Sequence, residues 1–298
     1  MLEDKTTFAD PHMESLLPEV KFSRRGFLAS SASVAGFALS AGPVAAQTAI
    51  ATDSEGVAGE DIQVTVNGGK MPGYIAAPAK AGKYPAVLVV PEIFGMHRYQ
   101  QDICRRLAKI GYVGITFDPT FRAGDLSKIT EIKEVLGKAN ALADDVMLAD
   151  LDAVVDMVSK HKKVNAAKMG ITGMCRGGRT VWMYTGHSKK IKAGVAWYGG
   201  LNSAPPAMAR TPLDVVGSLN GPVLGLYAGA DAGIPVAAVA RLQDALKTGN
   251  KNAKASTFIL YPNVPHAFHA DYRPSYRKPE ADAAWKEMLA WFKQHGVA

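Results

Sequence analysis

Residues 170–180 read GITGMCRGGRT, a run that sets one of only two cysteines in a 298-residue chain among four glycines. A structural cysteine prefers a crowded apolar interior, where its thiol is inert. The residues before it, AAKMGITGM, form a short apolar run of strand type, and GGRTVWMYTGH after it resumes helical spacing. Cys175 therefore falls at a strand-to-helix turn, inside Gly173-Met174-Cys175-Arg176-Gly177. Glycines two before and two after let strand and helix approach without Cβ clashes, and the side chain between them is pushed outward. The first N–H groups of the helix favour a thiolate and a developing oxyanion.

The same alternation extends along the chain. IQVTVNGG followed by MPGYIAAPA reads as a hairpin turning at Asn67-Gly68-Gly69. YPAVLVVPE (84–92) is continuously apolar, as in a strand covered on both faces, and RYQQDICRRLAKIGY (98–112) has helical spacing before the strand VGITFDP. A helix over 142–161 leads into the strand before Cys175. IKAGVAWYGG, GPVLGLYAGAD and ASTFILYP are further strands, with VAAVARLQDALKTG as a helix between the last two. The terminal segment 279–296 places Ala284, Trp285, Met288, Leu289 and Phe292 on one helical stripe. Strands and helices in this order predict an α/β domain with a mostly parallel central sheet and helices on both faces.

Residues 1–46 read as an export leader, with Arg24 and Arg25 in S-R-R-x-F-L, a mildly apolar run from Phe27 to Leu39, and small residues before a cut after Ala46. The alternative, a membrane anchor, needs a longer and more apolar run than this one. Residues 47–59 read as a linker and 60–298 as the catalytic domain, an exported, periplasmic enzyme with no stable membrane span after cleavage. The export machinery is the partner that a twin-arginine leader implies. Without the leader, which holds four of the 34 basic and five of the 27 acidic residues, the formal charge is +8. The lysine-rich stretches 159–163 and 188–192 have no interleaved aromatic residues, so nucleic acid is not an expected partner. No cofactor is called for, and monomer and dimer are equally open.

In this fold the acid and base follow the nucleophile, each beyond a later strand at the carboxyl edge of the sheet. Asp231 closes VLGLYAGAD, and His266 lies in FILYPNVPHAFH, beyond the strand that opens it. Asp231 also fits as the cap of a helix starting near Pro235. His269 competes with His266, and His266-x-x-His269 with Asp271 is the only spacing that suggests a metal pair; the expected metal content is none. His97, His161, His187 and His295 read as surface residues.

GMCRGG, GADAGIP, HAFH and VVPEIFG (89–95), in this order of roles, resemble the dienelactone hydrolase (carboxymethylenebutenolidase) family of the α/β-hydrolase fold, over roughly residues 60–296. The resemblance implies a lactone or ester hydrolase with Cys175 as nucleophile, His266 as base, Asp231 orienting the imidazole, and an acyl-enzyme intermediate. It makes Glu92 the family's glutamate, which contacts the resting thiol and helps draw off its proton. The backbone N–H groups of Ile93 and Arg176 become the oxyanion hole. Physically, a carboxylate near a thiol opposes its ionisation, so Glu92 is expected to keep Cys175 neutral and resistant to oxidation until ligand arrives; the alternative is a loop residue bonded to backbone. The family's dienelactone enzyme grips a substrate carboxylate with arginines, one of them four residues after the histidine, where this chain has Ala270. Arg122 or Arg273 is the expected substitute, unless both are solvated. Trp197 and Tyr198 either line the pocket or belong to the core. A broader carboxylesterase or thioesterase fits the same residues. A separate reading is an exported thiol protein for binding or redox work, with a Cys104–Cys175 disulfide.

Overall fold

The strand Tyr84–Val90 (β3) lies inside an eight-stranded sheet, and its last five residues, Ala86 to Val90, are wholly buried. That explains its uninterrupted apolar sequence. The structure is a computed structural model that describes residues 50–129, 131–202, 208 and 210–298. The stretch read as an export leader, with Arg24, Arg25 and Ala46, lies outside the described residues.

The hairpin forms as expected. Val57–Val66 (β1) and Gly69–Pro78 (β2) pair antiparallel across Asn67 and Gly68, and Gly68 takes the positive φ of 87° that such a turn requires. β1 begins at Val57, inside the stretch read as linker. After β3 come Arg98–Lys109 (α1), Val113–Phe117 (β4), Ile132–Asn140 (α2) and Asp144–Ser159 (α3). Val164–Met174 (β5), Arg176–His187 (α4), Ala193–Trp197 (β6) and Val223–Ala228 (β7) follow. The chain ends with Val236–Thr248 (α5), Lys251–Ala255 (α6), Thr257–Tyr261 (β8) and Lys278–Gln294 (α7). The strand order is β1-β2-β4-β3-β5-β6-β7-β8. β2 joins β4 antiparallel, and every pairing from β4 to β8 is parallel, so the carboxyl ends of β3, β5, β6, β7 and β8 share one edge.

Two helices escape sequence reading. α2 has Gly137 in its interior and no side-chain cap, so its propensity signal is weak. α6 spans five residues under the Asn250 cap, too few to show a period. On α7 the buried stripe is Ala281, Ala284, Met288, Trp291 and Phe292, while Trp285 and Leu289 are only half-buried.

The turn between β5 and α4 is as tight as its glycines suggest. A Cβ on Gly177 would lie 2.2 Å from the Val90 carbonyl oxygen of β3, and one on Gly173 would lie 2.5 Å from the Gly177 oxygen. Helix and strand meet backbone to backbone, with no flexible side chain to yield. Gly177→Ala is therefore expected to destabilise the fold by about 3 kcal/mol or more, read as a lowered urea midpoint.

Candidate active site

Cys175 is held at φ 54° and ψ −118°, a conformation that only the surrounding contacts sustain in a non-glycine residue. Its N–H donates to the Trp197 carbonyl at the end of β6 (3.0 Å), and its carbonyl accepts from Arg179 N–H (3.1 Å). The thiol is thereby fixed at the sheet's carboxyl edge, at the N-terminus of α4. Beside it, the Gly177 approach brings the start of α4 against Val90 and Pro91, so the turn carrying Glu92 and Ile93 adjoins Arg176. As the first residue of α4, Arg176 has an amide with no acceptor inside its own helix.

The acid and base come from the two neighbouring loops. Ala230 N–H donates to the Val264 carbonyl (3.0 Å) and Gly229 N–H to the Tyr261 carbonyl (2.8 Å), lacing the loops after β7 and β8 together. Asp231 Oδ2 lies 2.6 Å from His266 Nδ1, with both side chains buried. Asp231 Oδ1 accepts from Gly233 and Ile234 N–H (2.9 and 3.2 Å) and does not cap α5, whose N-cap is Pro235 without a side-chain bond. With Nδ1–H given to the carboxylate, Nε2 is the nitrogen left for the thiol. Burial alone would lower the imidazole pKa. The Asp231 charge and the Cys175 sulfur outweigh it, as charges and as hydrogen-bond partners, and raise it to about 10. The structure thus brings Cys175, His266 and Asp231 together.

His269 is a different kind of residue. Tyr99 Oη is 2.6 Å from its Nδ1, and its ring packs 4.4 Å from Trp197 and stacks on Trp285. Burial, then the Arg106 charge, pushes its pKa down to about 3, so it stays neutral. Asp271 pairs with Arg106, so neither partner of the suggested metal pair, nor Asp271, is arranged as a ligand set.

Glu92 is buried and caged. Its Oε1 accepts from the Tyr272 hydroxyl and from His97 Nε2–H (3.2 Å). Burial would raise the carboxyl pKa, but the Arg273 charge, the His97 bond and the His266 charge hold it below the usual carboxylate range. The carboxylate is bonded to the side chains of Tyr272 and His97.

His97 is therefore no surface residue. It caps α1, accepting from Tyr99 N–H at Nδ1 (3.4 Å), while its own N–H donates to Gln100 Oε1 (3.1 Å), and this leaves Nε2–H for Glu92. The spacing His97-x-x-Gln100 ahead of a helix is a capping box that the sequence displays. His187 is exposed, and His161 and His295 are partly buried.

Arg122 does not reach the site. Its guanidinium binds both oxygens of Asp150 on α3 (2.7 and 2.8 Å) and the Asn67 carbonyl, tying the β1–β2 turn to α3. Arg273 lies nearer, over the Phe94 ring, with Nε–H donating to the Tyr272 hydroxyl (3.2 Å). Trp197 is core: its Nε1–H donates to Thr172 Oγ1 (2.9 Å) beneath the site. Tyr198, at φ 36°, sets its ring edge-on to His266 at 5.0 Å, within electrostatic reach of Glu92 and Cys175. The proposed disulfide is absent: Cys104 and Cys175 are both free, and Cys104 is wedged against Gly114 of β4.

A network behind the histidine loop steadies it. Arg106 of α1 binds Asp271 and also donates to Asp102 (2.6 Å). Asp102 in turn accepts from Thr52 N–H (2.7 Å), Thr52 Oγ1–H (3.1 Å) and Arg105 (3.0 Å). The segment before β1 is thereby clasped to the helix that supports the histidine loop.

The sequence profile of the dienelactone hydrolase family matches residues 71–296. The chain belongs to the dienelactone hydrolase family. It is accordingly a hydrolase of ester or lactone bonds. A Methylorubrum extorquens protein named "Putative carboxymethylenebutenolidase" is 44% identical over 294 residues, covering 98% of this chain and 100% of the relative. An Escherichia coli protein of the same name is 40% identical, covering 88% of this chain and 96% of the relative. The crystal structure titled "Putative Dienelactone Hydrolase" from Klebsiella pneumoniae is similar with a TM-score of 0.76 at 39% identity, covering 80% of this chain and 99% of that one. Ala270, four residues after His266, is wholly buried.

Proposed function

We propose that this dienelactone hydrolase relative is exported by its twin-arginine leader to the periplasm and opens a lactone or activated ester through a thioester on Cys175. The observation that carries the reading is the convergence of a thiol on a strained turn with an imidazole braced by a buried carboxylate. His266, with its raised proton affinity, holds the thiol proton at Nε2 in an ion pair, and the thiolate sulfur attacks the carbonyl carbon. The oxygen that becomes negative sits against the N–H groups of Ile93 and Arg176. As the ring or ester C–O bond breaks, the leaving oxygen takes the proton from His266. Water then gives His266 a proton and attacks the thioester; the acid departs, and the proton returns to sulfur. Glu92 adds a fixed negative charge near this proton route, and Tyr198 walls the imidazole.

The test is a panel of neutral and charged lactones, aryl esters and thioesters, with mass spectrometry on enzyme quenched during turnover. An acyl mass on the peptide containing Cys175, and loss of turnover after stoichiometric alkylation of that residue, are expected. Turnover by enzyme fully alkylated at Cys175 overturns the thioester route.

A further inference from the structure

The Tyr198 hydroxyl is a buried donor whose proton has no acceptor among the described residues. The residue is wholly buried and directly follows β6, whose last carbonyl, that of Trp197, accepts from the Cys175 N–H. Its own N–H donates to the Leu226 carbonyl of β7 (2.9 Å), which pins the backbone at φ 36°. A bulky residue at positive φ is strained, and such strain persists where the surroundings over-determine it, most often at functional sites. Here it sets the ring edge-on to His266 (5.0 Å) and to Phe268 (5.4 Å).

Burial first, then the Glu92 charge and the Cys175 sulfur, push the phenol pKa well above its ordinary value against the opposing Arg273 charge, so the hydroxyl keeps its proton. The Tyr99 hydroxyl, 2.6 Å from His269 Nδ1, eases the ionisation of Tyr198, which is the effect of a donor, and so does not take that proton up. A buried donor without an acceptor destabilises a fold. Two of the groups that sense this one, His266 and Cys175, are the reacting pair.

Sulfur as the nucleophile creates a need that such a donor meets. A tetrahedral intermediate expels its better leaving group, and the anion of a thiol of pKa about 8.5 leaves more readily than that of a phenol of pKa about 10. The intermediate therefore falls back to the ester unless the departing oxygen is helped. In the sheet, the Ile93 turn follows β3 on one side of Cys175, while Tyr198, Asp231 and His266 follow β6, β7 and β8 on the other. Tyr198 thus belongs to the side from which His266 returns the proton.

We propose that Tyr198 is a further catalytic residue, whose hydroxyl donates a hydrogen bond to the departing oxygen of the ester or lactone. As the C–O bond of the tetrahedral intermediate breaks, its electron pair goes to that oxygen, His266 Nε2 supplies the proton, and Tyr198 keeps its own while sharing the charge. This rests on the thioester route above.

The experiment measures kcat/KM, which reports acylation, for Tyr198→Phe on phenyl acetate and 4-nitrophenyl acetate. Nitrophenoxide departs with little help and phenoxide does not. The loss is expected to be roughly 30-fold on phenyl acetate and within threefold on 4-nitrophenyl acetate, so the ratio of the second to the first rises roughly 10-fold. The urea midpoint is expected to stay level or rise, because the substitution deletes a buried donor that has no acceptor. Tyr198→Met, also without a hydroxyl, reports the same ratio if the phenylalanine variant does not fold. A ratio within twofold of wild type, with the acyl mass on Cys175 still seen, overturns the role of Tyr198 alone. Wild-type enzyme with no acyl mass on Cys175 overturns the thioester route, and this role with it.

Discussion

Cys175→Ala leaves a folded protein with turnover reduced on the order of 10⁴-fold or more, because the step that forms the covalent bond has no atom to form it with. The substitution removes a sulfur from a side chain that is 3% exposed and already strained at positive φ, so its thermal midpoint should stay close to wild type. Burst kinetics with an aryl ester separate the outcomes. Wild type gives a burst of one leaving group per active site when thioester hydrolysis limits; the alanine variant gives none. A variant that keeps a tenth of wild-type rate places the chemistry on another residue.

Asp231→Asn is the second large effect, roughly 10³- to 10⁴-fold in kcat, with the fold retained. The carboxylate accepts the His266 Nδ1 proton at 2.6 Å and two backbone amides on its other oxygen. An amide in its place can turn NH₂ toward Nδ1 and so stabilise the tautomer whose Nε2 carries the proton, which is the wrong one for a base. The pH dependence changes in a defined direction. In wild type the histidine pKa is raised to about 10, so the stabilisation it gains from its neighbours is complete below its unfolded value of about 6.5 and is lost as pH rises through 10. Losing the carboxylate removes the foremost stabilising charge and lowers that pKa. The slope of unfolding free energy between pH 7 and 10, measured by urea titration, should flatten in the asparagine variant. An unchanged slope with unchanged activity shows that the two side chains do not act together.

What the chain reveals before folding is the part that is local. The elbow around Cys175 is legible because its glycines are needed within five residues, and β3 because burial on both faces leaves no polar position in it. The chain order of Cys175, Asp231 and His266 is legible because a parallel sheet delivers every strand end to one edge. The Glu92 cage is not: Tyr272 reaches it across 180 residues, and His97 reads as a helix end until its capping bond is seen to free Nε2 for the carboxylate. Arg122 misleads for the same reason. It follows a strand, as a substrate arginine would, yet its partner Asp150 lies 28 residues on, in a helix that only packing brings alongside. Tyr198 and Trp197 are adjacent in sequence and diverge in role because the positive φ of Tyr198 turns its ring toward His266 while the indole points to Thr172.

The clasp through Thr52, Asp102, Arg106 and Asp271 has a practical consequence for anyone producing this enzyme. A recombinant gene trimmed to begin at the first strand would discard the segment that fills one side of that network and loosen the backing of the histidine loop, so expression vectors should keep residues from at least Ile50 onward and carry affinity tags upstream of them.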